Sequence, residues 1–207
     1  VLVVVDGGVA EGVVVHVDAA GALAACGGGG GGLTVANGVS TMSGTVIDGY
    51  IENAKVCLDL NSNLKCDDGP GEEEALYTKI TGDGGSYSFT YTGTRDIAAL
   101  HIIAEATANS IDEDDGGKTF AELGRSSVSL LTPANAPQTV SPLTTLVSNQ
   151  QIVAKEEGKT LTVAEAEARA KLQSNISASV ALTNNDYKDS AKGDKDTAVI
   201  AKAVTLA

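Results

Sequence analysis

From Ser43 to about Pro137 the chain is a succession of short runs in which Thr, Val, Ile and Tyr recur at alternate positions, cut apart by clusters of Gly, Asp and Asn. A period of two marks a strand with one buried face, and the clusters mark the places where such a chain turns. The runs predict strands near Gly44 to Tyr50, Lys55 to Leu60, Leu76 to Thr81, Ser86 to Tyr91, Ala98 to Ala106 and Ser127 to Leu131. Tyr87, Phe89 and Tyr91 fall on one face of their strand, as a strand buried on one side requires. Several short strands at this spacing predict a mainly β fold, an Ig-like antiparallel β-sandwich.

The flanking sequence is written differently. Residues 1–42 hold two Val-rich runs, Val1 to Val5 and Val13 to Val17, an Ala-rich stretch ending at Cys26, and six glycines from Gly27 to Gly32. They read as strands on a flexible tether. After Pro137 the period becomes helical. Ser141 is a natural N-cap and Pro142 a natural first helical residue, with Leu143, Leu146, Val147 and Ile152 along one face before Gly158. A second helix is predicted from Thr162, where Glu165 completes a capping box, to about Ser174. A third runs from Asp194 with Val199, Ile200 and Val204 as its stripe. It has no stop signal, so the chain is expected to continue past Ala207. The expected organisation is an N-terminal strand-and-tether segment over 1–42, a β-sandwich over 43–137 and a smaller helical region over 138–207.

Fourteen basic and 27 acidic residues give a net charge of −13, which repels phosphate backbones and anionic lipid headgroups. A nucleic-acid partner is thereby disfavoured. Catalysis has little to work with: the only imidazoles are His16 and His101, and His101 lies in a strand context where it reads as structural. No nucleophile elbow or paired metal-ligand motif accompanies it, and the glycine run lacks the Lys-Ser/Thr that completes a phosphate loop.

Leu23-Ala24-Ala25-Cys26, followed by glycines, resembles the lipobox of bacterial lipoproteins, in which the cysteine becomes the acylated N-terminus. No Lys or Arg precedes Cys26, and Glu11, His16 and Asp18 interrupt the apolar stretch, so a chance Ala-Ala-Cys in a linker is the alternative. If the Val-rich runs belong to the mature protein, their backbone groups need partners, which a sheet edge of their own chain or of a neighbour could supply. A mis-assigned start or a loose tail is the other reading.

Cys57 and Cys66 are the pair that remains once Cys26 is set aside. They point to a disulfide, which suits an oxidising compartment, with two buried thiols as the alternative. Between and just beyond them lie Asp59, Asn61, Asn63, Asp67 and Asp68. Oxygen side chains at alternate positions of a turning loop can face one hard cation, which makes calcium the candidate ligand. Leu64 stands where an EF-hand has glycine and Pro70 where it has the bidentate glutamate; Glu72, Glu73 and Glu74 follow closely enough to substitute. The alternative is an acidic solvated turn whose Asn and Asp cap backbone groups. A second cluster, Asp112-Glu-Asp-Asp-Gly-Gly117, reads as a solvated loop.

The segments Ser43-Gly-Thr-Val-Ile-Asp-Gly-Tyr-Ile51, Ala54-Lys-Val-Cys-Leu-Asp-Leu-Asn-Ser-Asn63 and Gly82-Asp-Gly-Gly-Ser-Tyr-Ser-Phe89 together resemble the carboxypeptidase-regulatory-like, Cna-B-like modules of bacterial surface proteins. The resemblance covers about residues 43–132 and implies a prealbumin-like β-sandwich that serves in scaffolding or adhesion without catalytic residues. Ser141 to Val147 is similar to the helical extension of some secreted lipoproteins that carry this module. The expected function is therefore a secreted, non-catalytic structural protein at the cell surface. It would self-associate into a homopolymeric fibre by β-strand addition. The alternative is a lipid-anchored outer-membrane adhesion or ligand-binding module, whose only membrane contact is an acylated Cys26.

Overall fold

The computed structural model describes residues 32–36, 38–70, 72–153, 163, 166–167 and 182–188. The Val-rich runs, Cys26 and the third predicted helix lie outside them, as does the second helix apart from Val163, Ala166 and Glu167, which are helical. The described fold is mainly β, with three sheets and one long helix.

The first sheet is organised by β2 (Val39–Val46), whose side chains alternate between buried and half-buried. Along one side of it runs β6 (Ser86–Tyr91), antiparallel, with Met42 opposite Phe89 and Gly44 opposite Tyr87. The other side is shared by β1 (Gly32–Ala36), antiparallel, and β11 (Thr139–Val140), parallel. Both lie outside the 43–137 span yet complete the sheet within it. The second sheet, all antiparallel, has the order β10 (Val128–Pro133), β7 (His101–Ala106), β4 (Lys55–Asp59), β5 (Lys79–Ile80). A small third sheet joins β3 (Ile51–Glu52), β8 (Ile111–Asp112) and β9 (Lys118–Thr119).

The strands of the first two sheets feed one core. Met42 and Val46 of β2 and all three aromatics of β6 cluster with Val56 and Leu58 of β4, Ile102 and Ala104 of β7, and Leu130 of β10. β6 obeys the alternation expected of one buried face, whereas β4 and β7 are buried on successive residues. The reason is a second apolar layer behind them, where Cys57, Ile103 and Leu131 pack with Cys66 and Ile152. Strands covered on both faces lose the period-two pattern and read as continuous apolar runs, as Val56-Cys57-Leu58 and Ile102-Ile103-Ala104 do.

Ile152 belongs to α1 (Pro142–Val153), which begins where the cap signals place it. The Ser141 N–H donates to Thr144 Oγ1 at 2.8 Å and the Thr144 N–H returns a bond to Ser141 Oγ at 3.2 Å, a reciprocal box with threonine at the third position. Thr144 Oγ1 also donates to the Leu131 carbonyl at 2.6 Å, pinning the helix start to β10.

Three predicted strands begin or end elsewhere. The Gly44 to Tyr50 strand ends at Val46, because Asp48 and Gly49 turn the chain so that Ile47 and Tyr50 bridge each other. The Leu76 to Thr81 strand loses Leu76 and Tyr77 to a 3₁₀ turn over Glu73–Tyr77, which buries Glu74 and Tyr77, and only Lys79–Ile80 pair as a strand. Ahead of β7, Asp96 accepts from the Ala98 N–H and winds Ile97–Ala99 into another 3₁₀ turn.

Residues 182–188, which carry no periodic signal, pack on the far end of the first sheet. Leu182 and Tyr187 are buried, Tyr187 Oη donates to the Ile47 carbonyl at 3.4 Å, and the Gln138 N–H donates to Asn184 Oδ1 at 3.2 Å. Burial pushes the Tyr187 phenol well above its ordinary pKa.

Gly44 is a point where this packing leaves no room for a side chain. A Cβ there would lie 2.0 Å from the Pro137 carbonyl oxygen, the same oxygen that accepts the buried Tyr87 hydroxyl. The prediction is that Gly44→Ala forces β2 away from the strand return at β11 and lowers stability by about 3 kcal/mol, read from urea unfolding. An unchanged midpoint would mean that Pro137 yields freely.

Candidate functional site

β4 delivers Cys57 to one side and Asp59 to the loop that follows it. The Cys57 and Cys66 sulfurs are bonded at 2.07 Å, with the Cα atoms 5.5 Å apart, so the loop is closed at its base. Closing about ten residues stabilises by about 2.7 kcal/mol in the chain-entropy model. Ser62 and Leu64 both take left-handed backbone with φ +62°. Leu64 thus adopts the conformation for which glycine is usual, at a cost of roughly 1–2 kcal/mol that the surrounding hydrogen bonds must offset.

Those bonds come from carboxylates. Asp59, 2 % exposed, accepts the Ser62 N–H on Oδ1 at 2.7 Å and the Leu64 N–H on Oδ2 at 3.2 Å. Asn61 and Asn63 repeat the device two residues on, accepting from the Asn63 and Lys65 amides at 2.9 Å each. Their carboxamide nitrogens both donate to Asp67 Oδ2, at 2.9 and 2.5 Å. Asn61, Asn63 and Asp67 therefore converge on one point, and the two amide donors hold the Asp67 carboxyl below its ordinary pKa. Asp68 does not join them: it turns outward to Lys55 Nζ at 3.3 Å, and Lys55 also pairs with Glu105 at 3.6 Å.

Of the three glutamates that follow the loop, Glu74 reaches it. Its carboxylate is 2 % exposed and accepts three backbone amides, Leu60 and Asn61 on Oε1 at 2.7 and 3.1 Å, and Asp67 on Oε2 at 3.2 Å. Glu73 instead pairs with Arg95 at 3.3 Å, while Arg95 also donates to the Leu60 carbonyl. The 3₁₀ turn that displaces the predicted strand is what carries Glu74 inward. Charge density flags the Glu72–Glu74 run in the sequence, but only the fold selects which member serves. Among the described residues no three His, Cys, Asp or Glu side chains form a group poised to hold a metal ion.

The second acidic cluster is the solvated loop expected for it at Glu113, Asp114, Gly116 and Gly117, and departs from it at Asp112. Asp112 is buried on β8, where Arg125 Nη1 meets it at 2.8 Å; the same guanidinium reaches Asp115 at 2.5 Å and stacks over Phe120 at 5.6 Å. Asp114 pairs with Lys188. Three of the four contiguous carboxylates are thus met by two cations, Arg125 and Lys188. These groups line an open cavity of about 490 Å³ that also takes in Asp48 and Gly49. His101 sits half-buried in β7 opposite Asp59 and Pro133. No described helix is long and apolar enough to cross a membrane.

No family model, curated protein or solved structure matches this chain.

Two outcomes follow from the loop geometry. Glu74→Ala leaves three amides without their acceptor and is expected to cost about 3 kcal/mol in urea unfolding, whereas Glu73→Ala, at an exposed ion pair, changes it by less than about 1 kcal/mol. Asp67 stabilises the folded loop above the ordinary carboxylate range and loses that contribution as pH falls toward its depressed pKa. In an NMR titration Asn63→Ala should move the Asp67 midpoint upward; an unmoved midpoint would remove the amide as its cause.

Proposed function

We propose that the chain is a non-catalytic, extracellular structural protein, an Ig-like or prealbumin-like β-sandwich that polymerises at the cell surface by β-strand addition. The two larger sheets are its layers, a reading supported by the single core they share. The observation that carries the polymer reading is the position of β1. This strand lies at the side of β2, and directly ahead of it in the sequence stand the glycines and the Val-rich runs. A disulfide-closed loop and a scarcity of catalytic side chains agree with a structural role outside the cell.

Calcium is the ligand of the closed loop in this reading. Asp59, Asn61, Asn63 and Asp67 would hold it, and Glu74 would fix the loop around them. Carboxylate and carboxamide oxygens are the donors a hard ion takes, and Asp67 would bind it through Oδ1, since Oδ2 already accepts both carboxamide nitrogens. The ion would supply the charge that offsets Asp59 and Asp67. Asp68 is left out of the set because Lys55 takes it.

A second reading, a lipid-anchored binding module, is favoured by one observation of its own. β1 begins six residues after Cys26, so an acylated cysteine would hold the sandwich on a glycine leash. The cavity beside Asp112 and Arg125 would then be the place to seek a surface ligand.

Electron microscopy and light scattering of the full chain test the polymer: filaments, or mass growing with concentration, are expected, and a monodisperse monomer at all concentrations rejects it. Mass spectrometry of the native N-terminus separates the two readings, since an acylated Cys26 start removes the Val-rich runs. For calcium, saturation at about a hundred times Kd adds ~2.7 kcal/mol, so chelation should lower Tm by several degrees, and Asp59→Ala should abolish that response. Equal Tm values with and without chelator would return the loop to a purely hydrogen-bonded turn.

A further inference from the structure

We infer that the outer edge of β1 is capped by Val13–Val17 of the same chain, and that this strand is what neighbouring copies exchange when fibres form. The inference deepens the polymer reading above and rests on it for the exchange.

β1 pairs with β2 through all five of its residues, and among the described residues no strand lies on its other side. Leu33 packs against the main core, and Val35, two residues on, points to the same face. Yet Val35 is 58 % exposed, an apolar side chain on the core-facing side. The other outer strands are better closed. β6 turns its three aromatics into the core and presents Ser86, Ser88 and Thr90 to solvent. β5 exposes Ile80 but is two residues long and carries Lys79, a charge that discourages further pairing. No charged residue occurs anywhere from Ala19 to Ile47, so β1 has no such guard.

The occupant is argued from the pattern and the reach. In Val13-Val-Val-His-Val17 the odd positions are all valine, while the even ones are Val14 and His16. Laid antiparallel with Val15 opposite Val35 and Val17 opposite Leu33, the odd valines extend the apolar face, and His16 lies on the side of Thr34. A one-residue slip would bring His16 to the core side, so the register is specified. Residues 18–31 separate this strand from β1, fourteen residues rich in Gly and Ala. Fourteen residues can span up to about 46 Å, while the return needs only the ~4.8 Å between neighbouring strands. The strand's effective concentration is on the order of millimolar, so in dilute solution a chain meets its own strand before another's. Exchange of the same strand between copies needs no new contact, only a change of course between Val17 and β1.

Hydrogen exchange on the intact chain, diluted until it sediments as a monomer, tests the cap. The amides of β1 that point away from β2 should exchange at least about tenfold faster in the Val13→Asp/Val15→Asp/Val17→Asp chain than in the wild type, with β2 and β6 unchanged. The exposed Val35→Lys variant should lose the same protection. Equal exchange in wild type and triple variant overturns the cap, even if concentrated protein still forms filaments by another contact. Loss of protection together with a wild-type chain that stays monomeric at every concentration leaves the cap standing and rejects the fibre instead.

Discussion

The fold turns on the two-sided burial of β4 and β7. One face of this strand pair meets the aromatics of β6, and the other would be an exposed apolar sheet if nothing covered it. Cys57, Ile103 and Leu131 on that second face are closed by Cys66 and by Ile152 of α1. The disulfide is therefore part of the packing as well as a tether. It brings the loop after β4 back onto the sheet, where the Cys66 amide donates to Glu105 of β7 at 3.0 Å. The helix is held from the same side through Leu131, which both accepts from Thr144 and donates to Thr145. Covering one hydrophobic face thus positions the only closed loop and the only long helix among the described residues.

What holds the loop itself is electrostatic in origin, since it has little apolar surface to bury. Asp59 from one end and Glu74 from the other each place a buried carboxylate among backbone amides, and charge-assisted bonds of this kind are stronger than neutral ones. Burying a carboxylate is costly unless its oxygens are met, and Glu74 meets that condition with three donors. The same logic governs Asp112, whose oxygens are shared between the Asp114 amide and Arg125. In both places an acidic run that looks like surface in the sequence contributes one member to the interior. Of the other carboxylates, Asp68 pairs with Lys55, Glu73 with Arg95, Asp114 with Lys188 and Asp115 with Arg125.

Much of this was legible where the local signal and the tertiary role coincide. β6 alternates because one face is buried, and Ser141-Pro142 marks a helix start because the cap is a local interaction. The cysteine pairing followed from parity, and the alternating Asp59, Asn61, Asn63 series marked the turn whose amides those side chains accept. The two-residue strands β3, β5, β8, β9 and β11 have no period to detect, so their pairing is set only by what they meet. Glu74 could not be told from Glu72 and Glu73, because the choice depends on a 3₁₀ turn stabilised by Tyr77 entering the core. The packing of residues 182–188 is likewise tertiary: Tyr187 and Leu182 look like isolated hydrophobics until Ile47 and Tyr50 turn toward them.

Charge distribution gives the sheet edges unequal meanings. A chain with 27 acidic and 14 basic residues has charge to spare for guarding its outer strands, and Lys79 on β5 and Lys118 on β9 serve that end. The stretch from Ala19 to Ile47 receives none of it, although it contains β1 and all of β2. For β2 this is expected, because strands on both sides cover its backbone. For β1 it is not, since among the described residues no strand pairs with the other side of its backbone, and Val35 on its core-facing side is exposed. An unguarded edge is tolerable in a soluble protein if something else covers it, and strongly selected against if nothing does. On the proposal above, the absence of charge at β1 is the mark of a strand that pairs with another, and Val13–Val17, fourteen residues upstream of it, is the segment proposed to provide that pairing.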